Sequence, residues 1–262
     1  MKLHDFARKK NNAKITVLTC YDYPSARSIA SSNLDCILVG DSVAMTVHGH
    51  TSTIMADMDM MTMHTAAVAR GLGRQFLIAD LPFLGHRGSR SDTMTNVKRL
   101  VQAGAHALKI EGGDGNTCET IAHIVTSGVP VVGHIGLTPQ SVLQLGGYKI
   151  QGRTDTQAEQ LLAQAHQLEA AGCFAVVLEC VPSHLAKTIT QALHIPTIGI
   201  GAGSETDGQV LVWHDFLGLY SDLNCRFVKQ FADGKSLFED AIHRYTLEVQ
   251  QGQFPSLEHS YS

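Results

Sequence analysis

Four acidic residues lie at the ends of four apolar, strand-like runs of this sequence. They are Asp41 in CILVGDS, Asp80 in FLIADLP, Glu111 in ALKIEGG and Glu179 in FAVVLEC. Carboxylates act as general bases and as ligands of hard cations, so four at one end of a sheet would make an acid–base and metal site. One carboxylate after a strand is commonly a helix N-cap. Four in equivalent places favour a shared functional site.

A lysine accompanies the third of these carboxylates. Lys109 and Glu111 are two residues apart, so on a strand their side chains point to the same face. Several carboxylates in one small cavity repel each other and lose hydration, unless a cation lies among them. Oxygen ligands without Cys or His beside them favour a hard divalent ion, most simply Mg²⁺. Lys109 supplies a positive charge suited to a substrate carboxylate or oxyanion.

Other chemistry-bearing residues receive different interpretations. Tyr21 and Asp22 follow the first apolar run and are candidate pocket residues. Asp57 and Asp59 are interpreted as helix-start residues. The histidines of HGH, residues 48–50, have no third partner nearby in the sequence, so we do not predict a zinc site there. No Ser-His-Asp or Cys-His pattern marks a nucleophile.

Eight short runs rich in β-branched residues must position these side chains. Most are near-continuously apolar and not strictly alternating, which is typical of strands buried on both faces. The runs are residues 14–20, 36–42, 75–81, 107–113, 129–135, 174–180, 195–201 and 226–232. Helical periodicity lies between them, as in residues 158–168, and again in residues 238–249. Gly71, Gly104 and Gly172 are predicted to end helices in the left-handed conformation.

The repeated order of strand, loop, helix and glycine indicates βαβ units, and eight of them predict a (β/α)8 TIM barrel. An open doubly wound sheet is the alternative. In a barrel, the C-terminal ends of all strands meet on one face, where the four acidic residues would converge. No linker or repeat divides the sequence, so a single domain over residues 1–262 is predicted.

Composition excludes several classes of protein. The chain has 20 Lys and Arg against 24 Asp and Glu, a net charge of −4, which is unlike a nucleic-acid-binding surface. No apolar run approaches the roughly 20 residues of a membrane helix, and no signal peptide is recognised. The six cysteines form no CxxC pair, which predicts a reducing cytoplasm.

An ordered series of motifs carries a family resemblance over essentially the whole chain. They are TCYDYPSA, LVGDSVAM, ADLPF, LKIEGG, GHIGLTPQSV, LGGYKIQGR, VLECVP, IPTIGIGAG and DGQVLVWHD. With these motifs the sequence resembles the ketopantoate hydroxymethyltransferase family. The resemblance implies a single-domain TIM barrel of the phosphoenolpyruvate-binding type. It also implies a homo-oligomer, often a decamer, in the cytoplasm, with no nucleic-acid or membrane partner.

The resemblance implies a reaction as well. A hydroxymethyl group would pass from 5,10-methylenetetrahydrofolate to 3-methyl-2-oxobutanoate through a Mg²⁺-stabilised enolate. The product would be 2-dehydropantoate (ketopantoate), used for pantothenate and coenzyme A synthesis. One Mg²⁺ per subunit is implied, with the folate as co-substrate.

The motifs also assign roles to residues by resemblance. Asp41 and Asp80 would bind Mg²⁺, and Glu111 would complete the metal site through water. Glu179 would be the proton acceptor. The keto acid would contact Asp41, Ser42, Asp80 and Lys109.

The sequence departs from the family pattern at Cys20, where Ala is frequent, at Thr206, where Cys is frequent, and in GHRGSRSD after ADLPF. These departures leave the folate-side contacts open. One rival is a lyase of the phosphoenolpyruvate mutase and isocitrate lyase group, but its KKCGH loop is absent from this sequence. The other is a catalytically silent barrel used for binding, which the loss of a key acidic residue would favour; all are present.

Overall fold

The computed structural model describes residues 1–219 and 225–261, which belong to two compact units, Met1–Val212 and Trp213–Ser262. The first unit contains a closed, all-parallel barrel whose strands follow the chain order. Its strands are β1 Ile15–Thr19, β2 Cys36–Val39, β3 Phe76–Asp80, β4 Ala107–Glu111, β5 Val131–Gly136, β6 Ala175–Glu179, β7 Thr197–Ile200 and β8 Gly208–Leu211. The predicted TIM barrel is therefore confirmed, and the open sheet is excluded. A single domain over residues 1–262 stays a prediction.

Helices cover the barrel between its strands. In the first unit they are α1 Leu3–Lys9, α2 Tyr23–Ala30, α3 Val43–Thr46, α4 Met58–Gly71, α5 Arg90–Gln102, α6 Gly115–Thr126, α7 Val142–Leu145, α8 Asp155–Ala170 and α9 Ser183–Ala192. The second unit contains α10 Trp213–Phe216 and α11 Gly234–Gln250. Short 3-10 turns occupy Thr53–Met55, Pro139–Ser141 and Leu257–His259. Within the described ranges, no helix is long and apolar enough to cross a membrane.

The prediction of the eighth strand is wrong. Residues 226–232 form turns and irregular structure in the second unit, whereas β8 is Gly208–Leu211 and pairs with β1 and β7. Gly208 and Gln209 make up half of this four-residue strand, so no apolar run marks it. Gly208 is needed because a Cβ there would lie 2.5 Å from the carbonyl oxygen of Ile15.

The predicted helices are confirmed within α8 and α11, but the left-handed stop predicted at Gly71 is wrong. Gly104 and Gly172 follow α5 and α8 with φ of +111° and +94°, the left-handed stop that favours glycine. Gly71 is instead the last residue of α4. A Cβ on Gly71 would lie 2.7 Å from the Cβ of Ala26, so this glycine permits the close packing of α4 on α2.

The lower part of the barrel is filled with apolar side chains. Phe6 of α1 packs edge-on against Phe76 and Phe174, with ring centroids 5.2 and 4.8 Å apart. Above it, inward-facing residues such as Ile78 and Val177 form the buried core. The polar chemistry is consequently confined to the layer above, at the C-terminal ends of the strands.

Candidate active site

The four acidic residues converge at the C-terminal face of the barrel. Asp80, Glu111 and Glu179 are the last residues of β3, β4 and β6, and Asp41 follows β2. Asp41, Asp80 and Glu111 are each at most 4% exposed, whereas the side chain of Glu179 is 18% exposed. A continuous series of polar contacts connects all four. The structure thus brings together the residues that the sequence placed on separate strands.

Asp41 and Asp80 form the first part of this cluster. The backbone N–H of Asp41 donates to Oδ2 of Asp80 at 3.0 Å. Burial and the charges of Asp80 and Glu111 raise the pKa of Asp41 well above its ordinary value. Burial also raises the pKa of Asp80, against the opposing ammonium of Lys109. Both carboxylates are therefore held in a site that disfavours their negative charge.

This arrangement fits a hard cation. Oδ1 of Asp80 is buried and has no hydrogen-bond partner among the described residues. A divalent ion beside Asp41 and Asp80 would use that oxygen, and its charge would oppose the effect of burial on the pKa of both carboxyl groups. No group of three or more His, Cys, Asp or Glu in the described ranges is arranged to hold an ion unaided. Substrate and water oxygens would have to complete the coordination.

Lys109 lies between the carboxylates. Its Nζ is 3.3 Å from Oδ2 of Asp80 and 3.7 Å from Oε1 of Glu111. Burial lowers the pKa of the ammonium, but the surrounding carboxylates outweigh burial and raise it above its ordinary value. Lys109 is therefore a cation at neutral pH and not a free amine.

His134 on β5 connects the cluster to Glu179. Its Nδ1 is 3.3 Å from Oε1 of Glu111, and its Nε2 is 3.2 Å from Oε2 of Glu179. Burial and the neighbouring Lys109 lower the pKa of His134, but the carboxylates of Glu111 and Glu179 raise it to about 9. These carboxylates favour the protonated ring, whose charge attracts the carboxylate of Glu179.

Gln140, in the 3-10 turn after β5, contacts two carboxylates of the cluster. Its backbone N–H donates to Oε2 of Glu111 at 2.9 Å. Its side-chain amide donates to Oδ2 of Asp41 at 2.8 Å and to the carbonyl of Leu81 at 2.9 Å. One residue thus fixes carboxylates that come from two different strands.

The remaining predicted residues divide into two groups. Ser42 lies beside the cluster, and its Oγ is 2.8 Å from the hydroxyl of buried Tyr21. Asp22 caps α2 by accepting from the N–H and hydroxyl of Ser25, so it is engaged outside the cluster. Asp57 is the N-cap of α4 and Asp59 lies in its first turn, which confirms both as helix-start residues.

The backbone around Glu179 is tightly constrained. Gly136 is the β5 partner of Glu179 and has a φ of +93°. A Cβ on Gly136 would lie 2.3 Å from the carbonyl oxygen of Glu179. Cys180, directly after Glu179, has a φ of +48°, which is uncommon for a residue with a side chain. The position of Glu179 therefore depends on close backbone contact with β5.

Gln140 is not among the residues that the sequence predicts for the site, and His134 is suggested only as an alternative base to Glu179. The histidine interrupts the apolar run VPVVGHI, and this polar residue in a buried strand was the available signal. Gln140 lies in an irregular connection without periodicity, so no pattern indicated that it reaches two strand ends.

Comparisons with known proteins agree with these observations. The profile of the family described as ketopantoate hydroxymethyltransferase matches residues 1–257. The 3-methyl-2-oxobutanoate hydroxymethyltransferase of Legionella pneumophila strain Paris is 64% identical over 262 residues, covering 100% of both chains. The protein of the same name from Francisella tularensis subsp. novicida strain U112 is 53% identical over 253 residues, covering 97% of this chain and 95% of its own.

A solved structure supports the fold assignment. The structure of 2,3-dimethylmalate lyase, a member of the PEP mutase/isocitrate lyase superfamily, superimposes with a TM-score of 0.60 at 16% sequence identity. The match covers 99% of this chain and 91% of that chain. At this identity the likeness shows a TIM barrel of the same type and does not extend to the reaction.

Proposed function

The chain belongs to the ketopantoate hydroxymethyltransferase family, and on that premise we propose that it converts 3-methyl-2-oxobutanoate into 2-dehydropantoate for pantothenate and coenzyme A synthesis. As a member of this family the chain is a hydroxymethyltransferase. We propose 5,10-methylenetetrahydrofolate as the donor and Mg²⁺ as the metal, one ion per subunit. The observation that carries the proposal is the buried group of Asp41, Asp80 and Lys109, which continues through His134 to Glu179.

Asp41 and Asp80 are the proposed ligands of Mg²⁺. When bound, the ion would polarise the keto group and stabilise the negative charge that develops on its oxygen. Glu111 already contacts His134 and Gln140, which supports an indirect role through water. The oxygens of the keto acid and of water would complete its coordination.

Lys109 and Glu179 have different roles toward the keto acid. The Lys109 ammonium pairs with the substrate carboxylate and orients C3 toward Glu179. The Glu179 carboxylate removes the C3 proton, and the charge on His134 keeps the base correctly placed. The resulting enolate carbon attacks the methylene carbon of the donor, both carbon–nitrogen bonds that hold this carbon to the folate break, and water supplies the hydroxyl oxygen. The C3 proton and one proton of that water end on the two folate nitrogens. Tetrahydrofolate is the second product.

Deuterium exchange at C3 of 3-methyl-2-oxobutanoate tests this proposal without the donor. We expect the protein to exchange the C3 proton with solvent when Mg²⁺ is present and far more slowly after chelation. Proton NMR follows the exchange directly. Full exchange in the presence of chelator would contradict the role of the metal, and no exchange under any condition would contradict the enolate route.

Replacing Asp41 or Asp80 by asparagine is expected to weaken Mg²⁺ binding by about tenfold or more, since each loses a charged ligand worth at least ~1.4 kcal/mol. Binding of the keto acid should weaken with it, because its oxygens complete the same shell. Calorimetric titration measures both affinities. Unchanged Mg²⁺ affinity in both variants would place the metal elsewhere.

Replacing Lys109 by alanine is expected to raise the KM for the keto acid, because an ion pair to its carboxylate is lost. The raised pKa keeps this amine protonated, so it should not form a Schiff base. Borohydride treatment in the presence of substrate, followed by mass spectrometry, should therefore detect no adduct. An adduct on Lys109 would replace the proposed mechanism with a covalent one.

We propose a cytoplasmic homo-oligomer, often a decamer in this family. Cys20, Cys36 and Cys173 are buried free thiols, as expected in a reducing compartment. In α11, the apolar side chains of Phe238, Ile242 and Tyr245 are each more than half exposed. Such a stripe is typical of a surface that another chain covers. Light scattering of the purified protein measures the number of subunits.

A further inference from the structure

His86 is a buried histidine whose ring nitrogens are both unsatisfied. The residue is 4% exposed, and neither Nδ1 nor Nε2 has a hydrogen-bond partner among the described residues. Burial and the neighbouring Arg87 lower the pKa of His86 to about 4, so its ring is neutral at physiological pH. Buried polar atoms nearly always form hydrogen bonds. Two ring nitrogens without one therefore indicate that a binding partner is missing. His86 lies in GHRGSRSD, the segment that departs from the family pattern.

The ring of His86 lines a cavity of about 500 Å³ that reaches the active site. Two lining residues, Glu111 and Gln140, belong to the polar cluster already described. Leu84 and Leu143 stand on the rim, 58% and 82% exposed. The cavity therefore combines an apolar rim with a polar interior that includes the unpaired histidine.

This combination suits a flat, neutral ligand. Exposed leucine side chains offer contact to the faces of an aromatic ring, while polar groups deeper inside offer hydrogen bonds to its edge. A neutral imidazole has one donor and one acceptor nitrogen, which matches the mixed edge of an amide-containing heterocycle. The cation in the cavity, Arg87, is paired with Asp114 at 3.0 Å, which disfavours an anion such as phosphate as the occupant.

We propose that this cavity binds the planar heterocycle of the one-carbon donor and that His86 is a donor-binding residue. The inference rests on the proposed function and deepens it by locating the donor. A heterocycle held there lies next to Glu111 and Gln140, so its one-carbon unit can reach a keto acid bound at Asp41 and Asp80.

The rim must move for the ligand to pair with His86, because both ring nitrogens are shielded from water. Leu84 lies on this rim, two residues before His86, and we assign the movement to it. It has a φ of +58°, an uncommon conformation for a residue with a side chain, and its side chain is exposed.

Substitution of His86 by phenylalanine tests the proposal, since it keeps an aromatic ring and removes both nitrogens. We expect the Kd for tetrahydrofolate, measured by calorimetry, to rise at least about tenfold. The KM for methylenetetrahydrofolate should rise in parallel, while the KM for the keto acid should change less than about twofold. His86→Gln, which restores one donor and one acceptor, should recover part of the affinity.

His123→Phe is the matched control, because it makes the same change on α6 at a residue that does not line this cavity. This control should bind tetrahydrofolate like the unmodified protein. Equal affinity in His86→Phe and the unmodified protein would overturn the inference while leaving the proposed function intact. A parallel rise in both KM values with a lower thermal midpoint would also overturn it, by identifying a structural histidine. If the unmodified protein binds no tetrahydrofolate, the proposed donor itself is wrong.

Discussion

Replacing Glu179 by glutamine is expected to lower kcat by roughly 10²–10⁴, the usual contribution of a positioned acid–base group. Glutamine keeps the shape of the side chain but cannot accept the C3 proton. Glu179 contacts His134 and lies on β6, apart from the strands that position Asp41 and Asp80. Binding of Mg²⁺ and the keto acid should therefore remain near normal. C3 exchange and complete transfer, measured side by side, should decline together.

Glu119→Gln provides the control, since this exposed residue on α6 undergoes the same chemical change and lines neither cavity beside the site. If Glu179→Gln exchanges the C3 proton at the unmodified rate but fails in transfer, Glu179 acts on the donor side. The base would then be water on the metal, Asp22 or His134. Asp22 is engaged in capping α2, and His134 would first have to lose the proton that its carboxylate neighbours favour.

A single added methyl group at Gly136 is expected to lower the rate of C3 exchange by about 10² or more. The Cβ of Gly136→Ala would lie 2.3 Å from the carbonyl oxygen of Glu179, a distance that forces one of the two strands to move. Displacement of a catalytic group by about 1 Å can cost about 100-fold in rate. The positive φ of Gly136 adds backbone strain, so the thermal midpoint should fall as well.

Gly128→Ala separates the two effects. Gly128 has a φ of +95°, close to that of Gly136, but among the described residues nothing lies within 4 Å of an added Cβ. We expect it to lose about 1 kcal/mol of stability from backbone strain and to keep its exchange rate. Both variants are compared at a temperature where circular dichroism shows them folded. An unchanged exchange rate in folded Gly136→Ala would mean that the β5–β6 contact does not position the base.

The sequence by itself determined the type of fold and most of the chemistry of this protein. Seven of the eight predicted runs overlap a strand of the barrel, and most of them are near-continuously apolar, as is typical of strands buried on both faces. Acidic residues at the ends of such runs are conspicuous, because a charge beside a buried strand is unfavourable unless it has a partner or a function. Asp41, Asp80, Glu111 and Glu179 were therefore identifiable before any three-dimensional arrangement was known.

Only the tertiary structure decided which groups contact each other. β8 contains no apolar run. A side chain at Gly208 would not fit against β1, so closure of the barrel requires a glycine at a position where an apolar pattern would need a larger residue. Gln140 joins Asp41 to Glu111 across 99 and 29 residues of sequence, distances over which periodicity carries no information. The unpaired nitrogens of His86 likewise follow from what packs around the ring. Local patterns report how a segment is buried, whereas contacts between loops depend on the closed barrel that brings them together.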